Sequence, residues 1–239
     1  MRDILYMPGG NGETLVISSD NSGGIGLKEA DHVKVPYDTV AYFAFRTAVM
    51  ENLSAGGAPF AAVLHNFAGD EHWHALAGGI EKGAQEARIE GLTVTGSTES
   101  NFELLQSAVG LIVIGKMTGS PEAPPLYTGR EKLAVIGLPL VGEEVLDKTG
   151  AIAPLSLFKE ITRMDGVRTQ PVGSKGILYE LNQLFSNREF TGDEVSCKGV
   201  DLLKSGGPSC CFIASYSREL EQEILVKAGS FHHQLEIIN

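Results

Sequence analysis

The run Ser18-Ser19-Asp20-Asn21-Ser22-Gly23-Gly24-Ile25-Gly26 holds the residues best suited to chemistry. A strand-like segment, Thr14 to Ser18, delivers an acid and then a cluster of glycines. A carboxylate leaving a strand can hold a Mg2+. Gly23, Gly24 and Gly26 can let backbone N–H groups converge on phosphate oxygens, with Asn21 beside them and Lys28 just beyond. The same residue types also make ordinary turns, and a lysine such as Lys28 is surface charge as readily as a phosphate contact.

Two further polar groups recur near element ends. Glu51 lies in an otherwise apolar helical segment with Val49, Met50 and Leu53, where a carboxylate needs a cation or hydrogen-bond partners. Gly96-Ser97-Thr98-Glu99-Ser100-Asn101 follows a strand, and Thr98 to Asn101 suit hydrogen bonding to a sugar or base, although loop capping uses the same residue types. Lys175, in Gly173-Ser174-Lys175-Gly176 before a helix, offers a cation beside N–H groups that can meet a phosphate; a surface lysine at a helix start fits equally. The Walker spacing is absent. His72-Trp73-His74 is a poor metal pair, because residues two apart at a helix start diverge.

The elements that must position these groups form two lobes. Thr118-Gly119-Ser120-Pro121-Glu122-Ala123-Pro124-Pro125 concentrates three prolines and breaks regular structure. The expected organisation is an N-terminal lobe over 1–117, a linker over 118–129 and a C-terminal lobe over 130–239. In the first lobe a strand is expected at 14–18, a helix from Thr39 to about Ala55 capped by Asp38, and a strand at 60–66. Trp73, Leu76, Ala77, Ile80, Ala84 and Ala87 then recur on one face of an amphipathic helix. Strands follow at 92–95 and 108–115. In the second lobe, strands are expected at 133–137 and 208–215, and helices near 142–148, 154–164, 176–186 and 218–228. Strict strand-helix alternation is absent, so the expected class is α+β, each lobe a mixed sheet covered by helices on one side.

Composition narrows the function classes. The 239 residues carry 43% hydrophobic and 21% charged residues and a formal charge of −11. Such a balance argues against broad contact with nucleic acid or an anionic membrane, both of which need clustered Lys and Arg. No apolar run approaches a bilayer span, and Met1-Arg2-Asp3 begins no signal-peptide core, so a cytoplasmic location is expected. Cys197, Cys210 and Cys211 have neither disulfide-framework nor zinc spacing and read as core residues.

The order of Ser19-Asp20-Asn21, then Met50-Glu51-Asn52-Leu53-Ser54-Ala55-Gly56-Gly57-Ala58-Pro59, then Gly79-Ile80 and Gly96-Ser97-Thr98-Glu99 resembles the aminoimidazole ribonucleotide synthetase superfamily. That superfamily includes thiamine-monophosphate kinase, selenophosphate synthetase and an ATP-using hydrogenase maturation protein. Pro171-Val172-Gly173-Ser174-Lys175-Gly176-Ile177 and Ser205-Gly206-Gly207-Pro208 extend the resemblance over nearly the whole chain. It implies two lobes, a homodimer through N-lobe strands, and Mg-ATP held by acids near that interface. Asp20 matches the acid after the first family strand, and Glu51 matches the Asp of the family's Asn-Asp pair, which makes Asp20 and Glu51 the expected metal ligands and catalytic acids. Asn21, the three loop glycines, Lys28, Gly96, Ser97, Thr98 and Lys175 are the expected ATP contacts. His65 and Asn66 fall on the acceptor side by the same comparison. His65 would bind ribose or accept a proton, and Asn66, Glu99, Ser100 and Asn101 would hold the substrate.

This chain departs from the family at Ser97 and Pro171, where relatives carry acids, and it lacks the glycine-rich arm of several relatives. The wording Ser19-Asp20-Asn21-Ser22-Gly23-Gly24-Ile25-Gly26-Leu27-Lys28-Glu29 is most similar to the α-ribazole kinase branch, which implies ATP-dependent phosphorylation of a nucleoside-like substrate in cobalamin lower-ligand salvage. A ring-closing or amide-activating ATP enzyme, a thiamine-monophosphate kinase-like enzyme and a catalytically silent nucleotide binder are the alternatives.

Overall fold

The computed structural model describes residues 4–238. One compact unit ends at Pro121 and the other begins at Glu122. The first contains β1 (Leu5–Gly10), β2 (Glu13–Gly23), the short parallel pair β3 (Ile25–Gly26) and β4 (Val33–Lys34), and α1 (Tyr37–Ser54). It continues with β5 (Ala58–Asn66), α2 (Trp73–Glu86), β6 (Thr93–Thr98) and β7 (Ala108–Thr118). Five strands form one sheet in the order β1-β2-β7-β5-β6. Only β5 and β6 run parallel, so the sheet is mixed.

Two boundaries differ from the sequence reading in ways that matter for the site. Every residue of β2 from Glu13 to Gly23 has a partner in β7, so Asp20 and Asn21 sit inside a strand and not in the loop after it. Similarly, β6 runs through Gly96, Ser97 and Thr98, each registered with β5, and the polar loop starts only at Glu99. Ladder pairing with a neighbouring strand outweighs the weak strand preference of these small polar residues. The hairpin strand β1 lies ahead of the first strand expected from sequence.

α1 is buried nearly all round, because it lies between the sheet and α2. Pro36 precedes it, and Asp38 falls in the first turn, where an acid faces the positive helix end, and does not cap it. Ser18 Oγ donates to Ala48 O at 2.7 Å, and Asn52 Nδ2 donates to Val16 O at 2.8 Å. These bonds fix α1 antiparallel to β2. Asn52 is fully buried, and a Cβ at Gly115 would lie 2.1 Å from its Oδ1, so a glycine is needed opposite it.

The second unit comprises β8 (Lys132–Ile136), α3 (Glu144–Asp147), α4 (Leu155–Thr162), β9 (Arg168–Pro171) and α5 (Gly176–Leu184). Then come β10 (Val195–Cys197), β11 (Phe212–Tyr216), α6 (Glu221–Ala228) and β12 (His232–Ile237). Its sheet, β10-β12-β8-β11-β9, is antiparallel throughout and not mixed. Helices cover both of its faces, where the sequence suggested one. Ile177 and Leu181 of α5 pack with Val135 and Ile213, while Phe158 of α4 meets Phe212 edge-on at 4.9 Å on the opposite face. Continuous burial along β11 is the sign of this two-sided cover.

Part of the expected linker is fastened to the second unit. Tyr127 packs edge-on against Phe185 and Phe190, and Asn187 bonds its backbone at both N–H and C=O. Among the described residues no helix is long and apolar enough to cross a membrane. All three cysteines are buried.

Candidate active site

Strand register brings most of the first unit's sequence-derived residues to one end of its sheet, in three adjacent rows across β2, β7, β5 and β6. Asp20, Leu111, Leu64 and Gly96 form one row, and Asn21, Gly110, His65 and Ser97 the next. Ser22, Val109, Asn66 and Thr98 form the third. Side chains alternate between faces, so Asp20, Asn66 and Thr98 point to the face covered by α1, whose bonds reach Val16 and Ser18 on β2. Asn21, His65 and Ser97 point to the other face and are exposed.

Asp20 is the electrostatic anomaly. Its carboxyl is pushed up to about 7 by burial, against which only the Asn21 backbone N–H works. A carboxylate so placed is costly unless a cation joins it. Glu51 is not brought to it. From the Ser18–Ala48 contact, Asp20 lies two residues toward the start of α1 and Glu51 three residues toward its end. Among the described residues no group of three or more His, Cys, Asp and Glu side chains is placed to hold a metal ion. Asp20 alone nevertheless fits a Mg2+ that arrives with phosphates, since that ion keeps several waters and needs only one or two carboxylates.

Beyond this end of the sheet lies a cleft of about 530 Å3. Its walls come from the segment after β2 (Leu27, Lys28), the start of α1 (Tyr37), the segment after β5 (Phe67 to His72) and the loop after β6 (Glu99, Ser100, Phe102, Glu103). Of the residues singled out from sequence, Lys28, Glu99 and Ser100 line it. The Lys28 ammonium donates to Leu104 O at 2.9 Å and Phe67 O at 3.3 Å, tying two of the walls together.

Other expected roles change. Asn66 is buried and spent on its own loop: Nδ2 donates to Gly69 O and Thr98 Oγ1, and Oδ1 accepts from Ala68 N–H. Both of its side-chain N–H donors are thereby used within the protein. Glu99 Oε1 caps its loop by accepting from Asn101 and Phe102 N–H. The glycine cluster does not form an open N–H cradle. Gly24 N–H is given to Ser107 O at 2.8 Å, and both Gly24, between β2 and β3, and Gly26, in β3, are buried. His65 is absent from the cleft lining, on the face opposite Asn66. In the second unit, Lys175 sits over the Tyr179 ring at 4.4 Å.

The residues that hold the cleft together were not singled out from sequence. Asp31 accepts from Lys28 N–H at 2.9 Å, Ser107 N–H at 2.7 Å and Ser107 Oγ at 2.7 Å. Since the Ser107 hydroxyl proton goes to Asp31, Tyr37 OH donates to Ser107 Oγ at 2.7 Å. The Tyr37 ring in turn packs on His72 at 4.2 Å. Asp31 follows Lys28 by three residues, a spacing that suits a side chain capping its own loop, which was the one sequence signal for it.

Burial alone would raise the Asp31 carboxyl, but the Ser107 and Lys28 bonds and the charge of Lys34 bring it below its ordinary value. Its stabilisation is therefore complete above the unfolded-state value of 3.8 and disappears as pH falls through the lower folded-state value. Asp31→Asn is expected to cost about 1–3 kcal/mol at pH 7. Urea midpoints for the two proteins should converge as pH drops below about 4; an undiminished gap there would refute the ionic part of this account.

No protein-family model matches the chain, and no curated protein does. Solved structures do. Thiamine monophosphate kinase from Aquifex aeolicus is 12% identical, with 100% of this chain and 89% of that one covered at a TM-score of 0.63. E. coli HypE, a hydrogenase maturation protein, is 12% identical over 94% of this chain and 79% of that one, at 0.62. T. maritima PurL complexed with ATP is 14% identical over 94% of this chain and 40% of that one, at 0.57. The chain has the fold common to these proteins.

Proposed function

We propose that the chain is a Mg-ATP-dependent kinase acting on a small nucleoside-like acceptor. The carrying observation is Asp20, a half-buried carboxyl pushed up to about 7 by burial, at the sheet end that opens toward a small-molecule cleft. The fold supports the reading, because a HypE structure in complex with ATP and a ThiL structure complexed with AMPPCP and TMP share it, at 11% identity each.

In this reading the acceptor hydroxyl oxygen bonds to the γ-phosphorus while the bond from that phosphorus to the β,γ-bridging oxygen breaks; ADP leaves and the hydroxyl proton passes to solvent. Phosphoryl transfer of this kind needs alignment and charge stabilisation more than a strong base. Asp20 would hold the Mg2+ that accompanies ATP, and that ion, when bound, supplies charge neutralisation on the phosphates. α-Ribazole is the proposed acceptor on the wording of residues 19–29, and thiamine monophosphate is the comparison substrate. Mass spectrometry after incubation with Mg-ATP and either compound tests this. Phosphorylated α-ribazole with matching ADP is the expected result; no product from either compound would overturn the kinase reading.

The proposed assembly is a homodimer, and the cytoplasm, where ATP is plentiful, is the proposed location. The sheet face opposite α1 carries half-exposed Leu15, Ile17, Val63, Ile112 and Ile114 beside exposed Leu5 and Met7, an apolar surface suited to a second copy. Ile114→Lys, in the middle of that face, is expected to halve the solution mass measured by light scattering. An unchanged dimeric mass would remove this face as the interface.

A further inference from the structure

We infer that Lys28 is a specificity-determining residue of the 530 Å3 cleft, where it selects a neutral flat heterocycle that carries an unprotonated ring nitrogen. The volume is that of a small-molecule site. Phe67 and Phe102, 39% and 78% exposed on two separate loops, give the cleft aromatic surface that a stacked ligand would cover. Tyr37 adds a third ring. Its hydroxyl is spent on Ser107 Oγ, so it offers the cleft ring surface and no donor.

The charged donor on this wall comes from Lys28, whose ammonium has three N–H groups. Two go to Leu104 O at 2.9 Å and Phe67 O at 3.3 Å, which fixes the nitrogen between the loops that carry Phe102 and Phe67. The third has no partner among the described residues and is the one left for a ligand. Carbonyl partners leave the ammonium its full charge, so a ring nitrogen with a free lone pair gains a charge-assisted bond there. A ring carbon in the same place gains none.

The acceptor proposed above carries such a nitrogen in its benzimidazole, and the adenine of ATP shares the chemistry. On this wall, however, Asp70, Glu71 and Glu103 outnumber the one lysine, and a ring bringing a triphosphate would carry its charge past them. An uncharged nucleoside meets no such repulsion, so the occupant is assigned as the acceptor. That assignment rests on the kinase reading; the selection of a neutral ring rests on the cleft itself.

The intact protein would be titrated at pH 8, where 1-methylbenzimidazole is uncharged, with that compound and with 1-methylindole, which has the same size and C–H in place of the ring nitrogen. Affinities are read by ligand-observed NMR. 1-Methylbenzimidazole is expected to bind about tenfold more tightly, although indole is the more apolar ring. Lys28→Met, which keeps the stem and loses the donors, should abolish that preference, while Phe102→Ala should weaken both rings alike. Saturating Mg-ATP should leave ring binding in place. Melting temperature and circular dichroism would establish that each variant is folded; if Lys28→Met is not, the wild-type comparison decides by itself.

Equal or reversed affinities in the wild type, or a preference that survives in a folded Lys28→Met protein, overturn the selection. Competitive displacement by Mg-ATP overturns the assignment to the acceptor. The kinase reading fails on a different result: the expected ring preferences with no product from α-ribazole or thiamine monophosphate leave the selection standing and end that reading. Phosphorylation of α-ribazole by a folded Lys28→Met protein at the wild-type KM keeps the kinase and removes the cleft as its acceptor site.

Discussion

Replacing Asp20 with Asn is expected to lower ATP turnover by at least about a hundredfold while making the folded protein more stable above neutral pH. The two effects share one cause. In the folded chain the Asp20 carboxyl keeps its proton until about pH 7, whereas the unfolded value is near 3.8. A raised carboxyl value has the opposite consequence to the lowered one at Asp31. Stability declines as pH rises from about 4 to 7, and the full penalty persists above that. Its upper bound is about 4 kcal/mol. The substituted amide has nearly the same shape as the carboxylate and no charge, so the penalty disappears. Melting temperatures of the two proteins should coincide near pH 4 and separate in favour of the variant at pH 8. Mg-ATP should raise the wild-type melting temperature more than the variant's. A variant that turns over ATP at the wild-type rate, or that is less stable at pH 8, would remove Asp20 from the site.

Gly96→Ala is expected to lose stability and activity together. Gly96 sits where β6 approaches β5, and a Cβ there would stand 1.9 Å from Leu64 O and within 2.9 Å of Leu64 N. The neighbour is backbone in a paired strand, so the clash is relieved only by separating β5 from β6. Overpacking of ordinary severity costs about 1–3 kcal/mol, and this contact should exceed about 3 kcal/mol because no side chain can rotate away. Movement of β6 also displaces Glu99 and Ser100 on the cleft wall. Gly110→Ala is the control, since its nearest neighbour is the His65 Cβ at 3.4 Å. It should change the unfolding free energy measured in urea by less than about 1 kcal/mol. A stable Gly96→Ala protein with weakened ATP binding would restore the direct phosphate contact read from sequence.

Local chemistry was legible wherever one segment decides the outcome. The 3.6-residue apolar period of α2 gave its span almost to the residue, and Gly56, at φ +84°, marks the end of α1 as its glycine pair suggested. The two compact units divide inside the proline-rich stretch, between Pro121 and Glu122, and Tyr127, just beyond that stretch, packs with the second unit. Ser19 to Gly26 and Gly96 to Asn101 were recognisable as polar segments near strand ends that could converge.

Sequence alone determined the two-unit α+β plan, because hydrophobic period, proline and glycine act within a few residues of themselves. Tertiary structure alone decided what each polar residue does. Pairing with β7 carried β2 through Asp20, and that register set Asn66 inward and His65 outward. Burial raised Asp20, while three donors lowered Asp31, so two aspartates of one segment received opposite electrostatics. A carboxyl's proton affinity depends on what lies within a few ångströms of it, and those neighbours come from distant parts of the chain.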